Sequence, residues 1–224
     1  MDFTAGLNLV IKINLKLKQH NMETDWNNSL HKWSVDILER VSESIYEKFP
    51  GNVKKEKWLG GENASFKEIR IAETKLSIKL ADSEKGFWRS SDGWKGYYPE
   101  VFELYPVLEI KKFAPAHPDL LESWQSGIDI SLSGDEIESP EKNSQEPFMV
   151  SAENLKEAIE IGKAEDDQYI LLFPKQNTTE ASEIWLFATW YPGAYRYGSL
   201  FSLLTKLHED LLATELKRRN ITRE

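Results

Sequence analysis

The sequence predicts an α+β fold in which helices pack on a mostly antiparallel sheet. Three observations predict it: an amphipathic helical pattern at residues 26–49, a continuously apolar run at residues 183–191, and a second helical pattern after Ser199. The apolar run is typical of a central strand buried on both sides. Helices, then strands, then helices is the order expected for this fold class.

The composition supports a folded chain with a sizeable core. Its 224 residues suffice for one large domain or two small ones, and 40% of them are hydrophobic and 12% aromatic, including eight Trp. Because there is no Cys, disulfides, zinc–thiolate sites and a thiol nucleophile are excluded, and a reducing, cytoplasmic location is expected. No stretch approaches the roughly 20 apolar residues of a membrane span, so we expect no membrane association.

The chain divides into three parts. Apolar residues alternate at 7–17, a period typical of a half-buried strand, and Met22 opens a polar stretch before the first helical pattern. We therefore interpret residues 1–25 as a leader strand or a non-native extension. Residues 26–212 are assigned to the folded domain, and residues 213–224 to the end of the last helix and a tail.

The first part of the domain is predicted to be helical. Apolar residues at three- and four-residue spacing predict one helix over residues 26–49, ended by Pro50-Gly51. Ser65 and Glu68 have the spacing of a capping box, which begins a second helix. A third helix is predicted to start near residue 82 or 83 and to stop at the Asp92-Gly93 turn.

The second part is predicted to be mainly β. Residues 128–132 alternate like a strand, and residues 133–147 are polar, acidic and bounded by Pro, as expected of a loop. Residues 160–174 predict a strand, an acidic turn at Asp166-Asp167, and a second strand. Ser199 is expected to cap the final helix, whose Leu residues share one face.

The formal net charge of −9 is concentrated in one segment. Residues 133–168 carry 11 acidic and 3 basic side chains, whereas residues 1–132 carry 20 and 18, and residues 169–224 carry 6 and 7. Such a field repels phosphate backbones, so we expect no nucleic-acid partner. It would steer a basic protein partner, but a solvated acidic loop that only aids solubility is an equally good interpretation.

The sequence carries no catalytic motif. The four His, at positions 20, 31, 117 and 208, form no HExxH arrangement, and no G-x-S-x-G sequence marks a nucleophilic serine. Carboxylate pairs such as Glu100 and Glu103 are unavoidable among 37 acidic residues. We therefore expect no enzyme activity, no cofactor and no metal. A hydrolase that uses two carboxylates about 5–10 Å apart is the enzymatic alternative.

Two stretches follow the pattern of a known family. In the first, at residues 72–113, the matching residues are Glu73, Leu76, Lys79, Leu80, Phe87, Gly93, Trp94, Leu104, Pro106, Ile110 and Phe113. In the second, at residues 155–204, they are Pro174, Trp185, Phe187, Trp190, Pro192, Gly193, Ala194, Arg196 and Tyr197. Together with the first helical pattern, these stretches resemble the SUKH superfamily over residues 26–212.

The chain departs from the SUKH pattern at several turns. Ser77 stands where the family usually has Gly, Ala81 and Gly198 where it often has Pro, and Asp92 where it has Asn. Ala81 and Gly198 loosen turns without forbidding them. The acidic loop at 133–147 has no counterpart in the family pattern.

The resemblance implies a single α+β domain with a mixed, mostly antiparallel sheet flanked by N- and C-terminal helices. Bacterial members are mostly immunity proteins that bind and neutralise toxins, often nucleases or deaminases. Fungal members regulate cell-wall synthesis through protein contacts. We therefore expect a cytoplasmic protein that neutralises a cognate, nuclease-type polymorphic toxin. The alternative is an intracellular scaffold or regulator that also acts through protein contacts.

Acidic residues are the first candidates for contact with a basic toxin domain. They are Asp135, Glu136, Glu138, Glu165, Asp166 and Asp167. Their charge should raise the association rate more than the final affinity. Tight binding needs in addition an aromatic or apolar anchor, which the sequence does not identify.

Aromatic residues and one arginine complete the analysis of the partner surface. Trp185, Phe187 and Trp190 are expected in the core, because they continue the apolar run. Trp94 is interpreted as a core lid or, less favoured, as a contact residue. Arg196 is a candidate toxin contact, with stacking on an aromatic ring or restraint of a loop as its alternative.

Overall fold

One antiparallel sheet organises the chain. The computed structural model describes residues 25–97, 101–131, 148–175, 181–190 and 193–221. The strands are β1 (Trp94–Tyr97), β2 (Val101–Leu104), β3 (Lys111–Lys112), β4 (Phe148–Met149), β5 (Ile159–Ala164), β6 (Gln168–Phe173), β7 (Glu183–Ala188) and β8 (Gly193–Tyr197). Their order is β1-β2-β5-β6-β7-β8-β4, with β3 paired to β5 outside this path. Every pairing among the described strands is antiparallel, which confirms the predicted α+β class.

Helices precede, interrupt and follow the strands. They are α1 (residues 25–38), α2 (Glu43–Tyr46), α3 (Gly51–Glu56), α4 (Phe66–Leu76), α5 (Asp82–Ser90), α6 (Phe113–Ala116), α7 (Pro118–Ser131), α8 (Ala152–Lys156) and α9 (Leu200–Ile221). Within the described parts of the chain, no helix combines the length and apolar character needed to cross a membrane.

The sheet is buried on both faces. Ile170 and Leu172 of β6 belong to a large apolar cluster with residues of α1, α4, α5 and α9. Leu171, between them, belongs to a second cluster that includes Phe113 of α6 and Leu155 of α8. Because successive strand residues point to opposite faces, a strand covered on both sides favours apolar residues at every position. This is why β6 and β7 have continuous rather than alternating apolar runs.

Helices α4 and α5 begin as the sequence predicts. The Ser65 hydroxyl accepts the Glu68 amide at 3.2 Å, while the Glu68 carboxylate accepts the Ser65 amide at 2.7 Å, which completes the capping box. The Glu84 carboxylate is fully buried and plays the corresponding part in α5, accepting the Ala81 amide at 2.7 Å. It also accepts the Ser182 amide at 2.8 Å. Glu84 therefore fastens α5 to the start of β7.

Two sequence predictions are wrong. The single helix expected over residues 26–49 is broken after residue 38, although Val41, Tyr46 and Phe49 still pack on the core. The break leaves the apolar spacing intact, so the spacing did not reveal it. Pro50 is the N-cap of α3, so Pro50-Gly51 leads into a helix instead of ending one.

The strand predicted at residues 128–132 is also wrong, because residues 118–131 form α7. Pro118 begins the helix, and Leu120, Leu121 and Trp124 pack on the second cluster at helical spacing. The Trp124 indole donates to the Val150 carbonyl at 2.7 Å. Tertiary packing of this face outweighs the short alternating pattern that follows it.

Removing the Glu84 carboxylate tests its role in holding α5 to β7. Glu84→Ala leaves two buried amides without their acceptor, so we expect a loss of about 2 kcal/mol or more in the free energy of unfolding. Urea denaturation measures it. Glu84→Gln keeps one acceptor oxygen and should cost less; equal losses for the two variants would contradict this role.

The packing of α1 on α9 contains a buried imidazole. His208 lies 5.9 Å from the Trp33 ring between centroids, and its Nε2 lies 3.1 Å from Asp36 Oδ2. That approach lacks hydrogen-bond geometry, so neither ring nitrogen has a hydrogen-bond partner among the described residues. Burial lowers the pKa of His208; Asp36 opposes this, while Lys32 and Arg40 add to it.

This histidine predicts a loss of stability in mild acid. The unfolded chain takes up the proton first, because burial lowers the pKa of His208 only in the folded state. The free energy of unfolding is therefore highest above about pH 6.5 and falls as the pH drops towards the lowered pKa. Urea unfolding at about pH 7.5 and about pH 5.5 measures the difference. We expect His208→Gln to reduce it and the exposed His31→Gln to leave it unchanged. An unchanged difference in His208→Gln would refute the assignment.

Candidate functional site

Two turns lie side by side at one end of the sheet. Ala164 pairs with Gln168 across the β5–β6 turn, and Gln168 pairs in turn with Ala188, where β7 ends. The Thr189 amide donates to the Asp167 carbonyl at 3.3 Å and so joins the two turns beyond the last strand pairs. Residues of both turns therefore form one continuous surface.

Trp190 is the main apolar feature of this surface. Its side chain is 67% exposed, and its indole Nε1 donates to the Asp166 carbonyl at 2.9 Å. The expectation that Trp190 lies in the core is wrong, whereas Trp185 and Phe187 are buried as expected. β7 ends at Ala188, so Trp190 belongs to the turn that follows the strand. The apolar run of the sequence therefore extends past the end of the buried strand.

Three acidic residues lie in the turn that the Trp190 indole contacts. Glu165, Asp166 and Asp167 are all exposed in the β5–β6 turn, as the sequence predicts for an acidic turn. Asp166 and Asp167 have φ values of 56° and 55°, in the left-handed region that Gly, Asn and Asp tolerate best. Asn or Gly would satisfy this geometry equally well, so the turn itself does not require the negative charges. We call Glu165, Asp166, Asp167 and Trp190 the acidic hairpin surface.

The other predicted partner residues do not join this surface. Trp94 is 3% exposed, and its Nε1 donates to the Ser34 hydroxyl at 3.3 Å, so it belongs to the core and not to a contact surface. Its favoured interpretation as a core residue is confirmed. Asp135, Glu136 and Glu138 lie outside the described residues.

Arg196 holds the sheet together near its opposite end. It faces Trp185 across β7 and β8, with the guanidinium carbon 5.9 Å from the ring centroid. Its Nε and Nη2 donate to the two carboxylate oxygens of Glu183 at 2.5 and 3.0 Å. This two-pronged pairing and the ring contact agree with the structural alternative stated for Arg196, and they separate it from the acidic hairpin surface.

A buried carboxylate that the sequence did not single out lies on β5. Glu160 is fully buried; it accepts the Tyr105 hydroxyl at 2.8 Å and lies 2.7 Å from His117 Nε2 and 3.3 Å from Lys111 Nζ. Burial, and then the bond to Glu160, raises the pKa of Tyr105. Alternation within β5 offered no signal, because a bulge between Glu160 and Gly162 interrupts it.

The Glu160 cluster attaches neighbouring elements to the sheet. Tyr105 follows β2, Lys111 lies in β3, and His117 lies at the junction of α6 and α7. One carboxylate therefore contacts three separate segments of the chain. A buried carboxylate persists when it is paired and hydrogen-bonded in this way. Among the described residues, no group of three or more His, Asp or Glu side chains is arranged to hold a metal ion.

Two comparisons bear on the family of this chain. No protein-family model matches it, and no curated protein matches it. The resemblance to the SUKH superfamily therefore stays a prediction from the sequence.

Neutral substitutions test whether the turn needs its charges. Asp166→Asn with Asp167→Asn keeps side chains that tolerate positive φ, so we expect the free energy of unfolding to change by no more than about 0.5 kcal/mol. Asp167→Val places a β-branched residue at positive φ and should cost about 1–2 kcal/mol. Urea denaturation measures both. A large loss in the Asn variant would mean that the carboxylates serve the fold.

Proposed function

We propose that the chain is a cytoplasmic binding protein of the immunity type, which neutralises a basic, nuclease-type toxin domain by covering it. The observation that carries this proposal is the exposed Trp190, whose indole is hydrogen-bonded to an exposed turn with three acidic residues at one end of the sheet. The SUKH-like sequence pattern supports the same class of function, although a fold alone does not determine one.

The chemistry of the acidic hairpin surface suits such a partner. Trp is among the residues that contribute most binding energy when a partner buries them at the centre of an interface. Carboxylates around it attract a positively charged partner and speed its approach. A nuclease domain needs a positively charged face to bind the phosphate backbone of its nucleic-acid substrate. An acidic surface with an aromatic anchor can occupy that face in place of nucleic acid.

The surface is also held in place before any partner arrives. The indole of Trp190 is restrained by its bond to the Asp166 carbonyl, and the Thr189–Asp167 bond fixes one turn against the other. Both turns end strands of the central sheet, which is covered by helices on both faces. A restrained side chain loses less conformational freedom on binding, which favours affinity.

Trp190→Ala tests the anchor directly. The chain is co-expressed with the toxic C-terminal domain of a large secreted protein encoded beside it, and growth and affinity are measured. We expect the native chain to restore growth, and Trp190→Ala to weaken binding by about 2 kcal/mol or more. Phe66→Ala, at a 46% exposed aromatic residue of α4, is the matched control and should bind normally.

Charge is tested separately by kinetics. Asp166→Asn with Asp167→Asn should slow association while changing dissociation little, and the difference should shrink as salt is raised past about 0.15 M. Lys substitutions at Asp135, Glu136 and Glu138 ask whether the acidic segment at residues 133–147 contributes. Unchanged association rates in both sets would reduce the carboxylates to a role in solubility.

Failure of the toxin experiment has a defined meaning. If no neighbouring gene encodes such a domain and disruption of this chain alters growth or the cell wall, the regulatory alternative stands instead. If growth is restored equally by Trp190→Ala with unchanged affinity, the partner binds elsewhere on the molecule.

A further inference from the structure

A groove opens at the end of the sheet opposite the acidic hairpin surface. Its volume is about 610 Å³, and it lies between the C-terminal end of α4, helix α8, strand β3 and the ends of β5 and β6. The register places these ends apart: Ile159 pairs with Leu172 at the groove, whereas Ala164 pairs with Gln168 at the acidic turn. The groove carries four lysines, Lys79, Lys112, Lys156 and Lys175, and we call it the lysine groove.

Lysines outweigh carboxylates in the groove, although the chain as a whole carries a net charge of −9. Its carboxylates are Glu73 and Glu157. Glu73 is buried and already paired, since it accepts the Leu80 amide at 3.0 Å and lies 3.1 Å from Lys85 Nζ. Its contact with Lys79 is longer, at 3.7 Å, and the Lys79 side chain is 80% exposed. Exposed pairs of this kind are weak, so a ligand carboxylate can replace them.

The floor of the groove is apolar. Ile78, Phe173 and Pro174 line it and are only partly buried, with Leu76 and Ile159 buried among them. The Phe173 ring lies 3.9 Å from the Trp185 ring between centroids, which restrains it. Apolar surface fixed in a concave site favours an apolar side chain of a ligand.

These features distinguish between kinds of anion. A compact phosphate is bound by converging backbone amides, helix N-termini or arginine forks. Here α4 contributes its C-terminal end, whose partial charge is negative, and Pro174 has no amide hydrogen. The described residues that line the groove include no arginine. Negative groups are favoured only at the rim, where the long lysine side chains reach them. That distribution fits carboxylates on either side of an apolar residue.

We propose that the lysine groove binds an acidic segment of a partner protein, with an apolar side chain on the floor and carboxylates at the rim lysines. The site is separate from the acidic hairpin surface and does not depend on the function proposed for it. The molecule then has two binding ends of opposite charge. One end recognises a basic partner and the other an acidic one.

Binding of a short fluorescein-labelled peptide of Glu, Asp and Leu to the full chain tests this proposal. Fluorescence anisotropy should show binding that weakens as salt is raised, and the same peptide with Gln and Asn in place of its acids should bind poorly. Lys112→Glu with Lys175→Glu should weaken binding by about tenfold. The control Lys55→Glu, an exposed lysine of α3, should change it by less than about twofold.

The floor is tested with a second pair of variants. Ile78→Ala should weaken peptide binding by about fivefold, whereas Ile71→Ala, an exposed isoleucine of α4 outside the groove, should not. Melting temperatures of all variants establish that each is folded. Groove variants should still bind the toxin domain, and Trp190→Ala should still bind the peptide, so the two proposals fail independently.

Three results would overturn the proposal. The first is absence of peptide binding, or binding that the groove variants do not alter. The second is binding of a single-stranded oligonucleotide as tightly as the peptide, which would make the groove a general site for polyanions. The third is self-association of the chain that Lys112→Glu with Lys175→Glu abolishes, which would make a second copy the occupant.

Discussion

The structure depends on burial of the central sheet from both sides. β6 and β7 place apolar side chains on each face, and neither face is covered until helices from distant parts of the sequence pack on it. Hydrophobic burial is non-directional, so polar ties decide which helix covers which part of the sheet. Glu84 sets the position of α5, Glu160 gathers β3 and the α6–α7 junction, and the Arg196–Glu183 pair joins β7 to β8.

The central strands differ in exposure from the two ends of the sheet. Trp185 and Phe187 of β7 are buried in the core, and so is Trp94 at the start of β1. At one end the chain presents an exposed Trp beside the acidic β5–β6 turn, and at the other it presents lysines around an apolar floor. Binding residues in proteins are often carried by turns and loops on a rigid scaffold, which agrees with the binding proposed for these two ends.

The fold class, the acidic turn and the caps of α4 and α9 could be predicted because each rests on local chemistry. Ser65 with Glu68 and Ser199 with Ser202 bond within four residues, so their spacing is sufficient evidence. Breaks such as the one after residue 38 leave apolar spacing unchanged and give no local signal. α7 depends on packing against a distant cluster, which overrides the short alternation at its end.

The candidate site was only half predictable for the same reason. The acidic turn could be predicted from its composition. The exposure of Trp190 could not, because it depends on where β7 ends, and the apolar run continues through Trp190 without marking that end. A better clue was its position two residues before Pro192-Gly193, where a turn is expected. The groove lysines come from four separate segments, so no spacing in the sequence brings them together.

The bond between Glu84 and the Ser182 amide spans 98 residues and has a consequence for biosynthesis. Helices α1, α4 and α5 leave the ribosome well before β6 and β7, the strands that their apolar faces cover. These three helices therefore cannot bury those apolar faces against β6 and β7 until most of the chain has been translated. The contact between α5 and the start of β7 forms late, and nascent chains interrupted before β7 are candidates for chaperone capture or degradation.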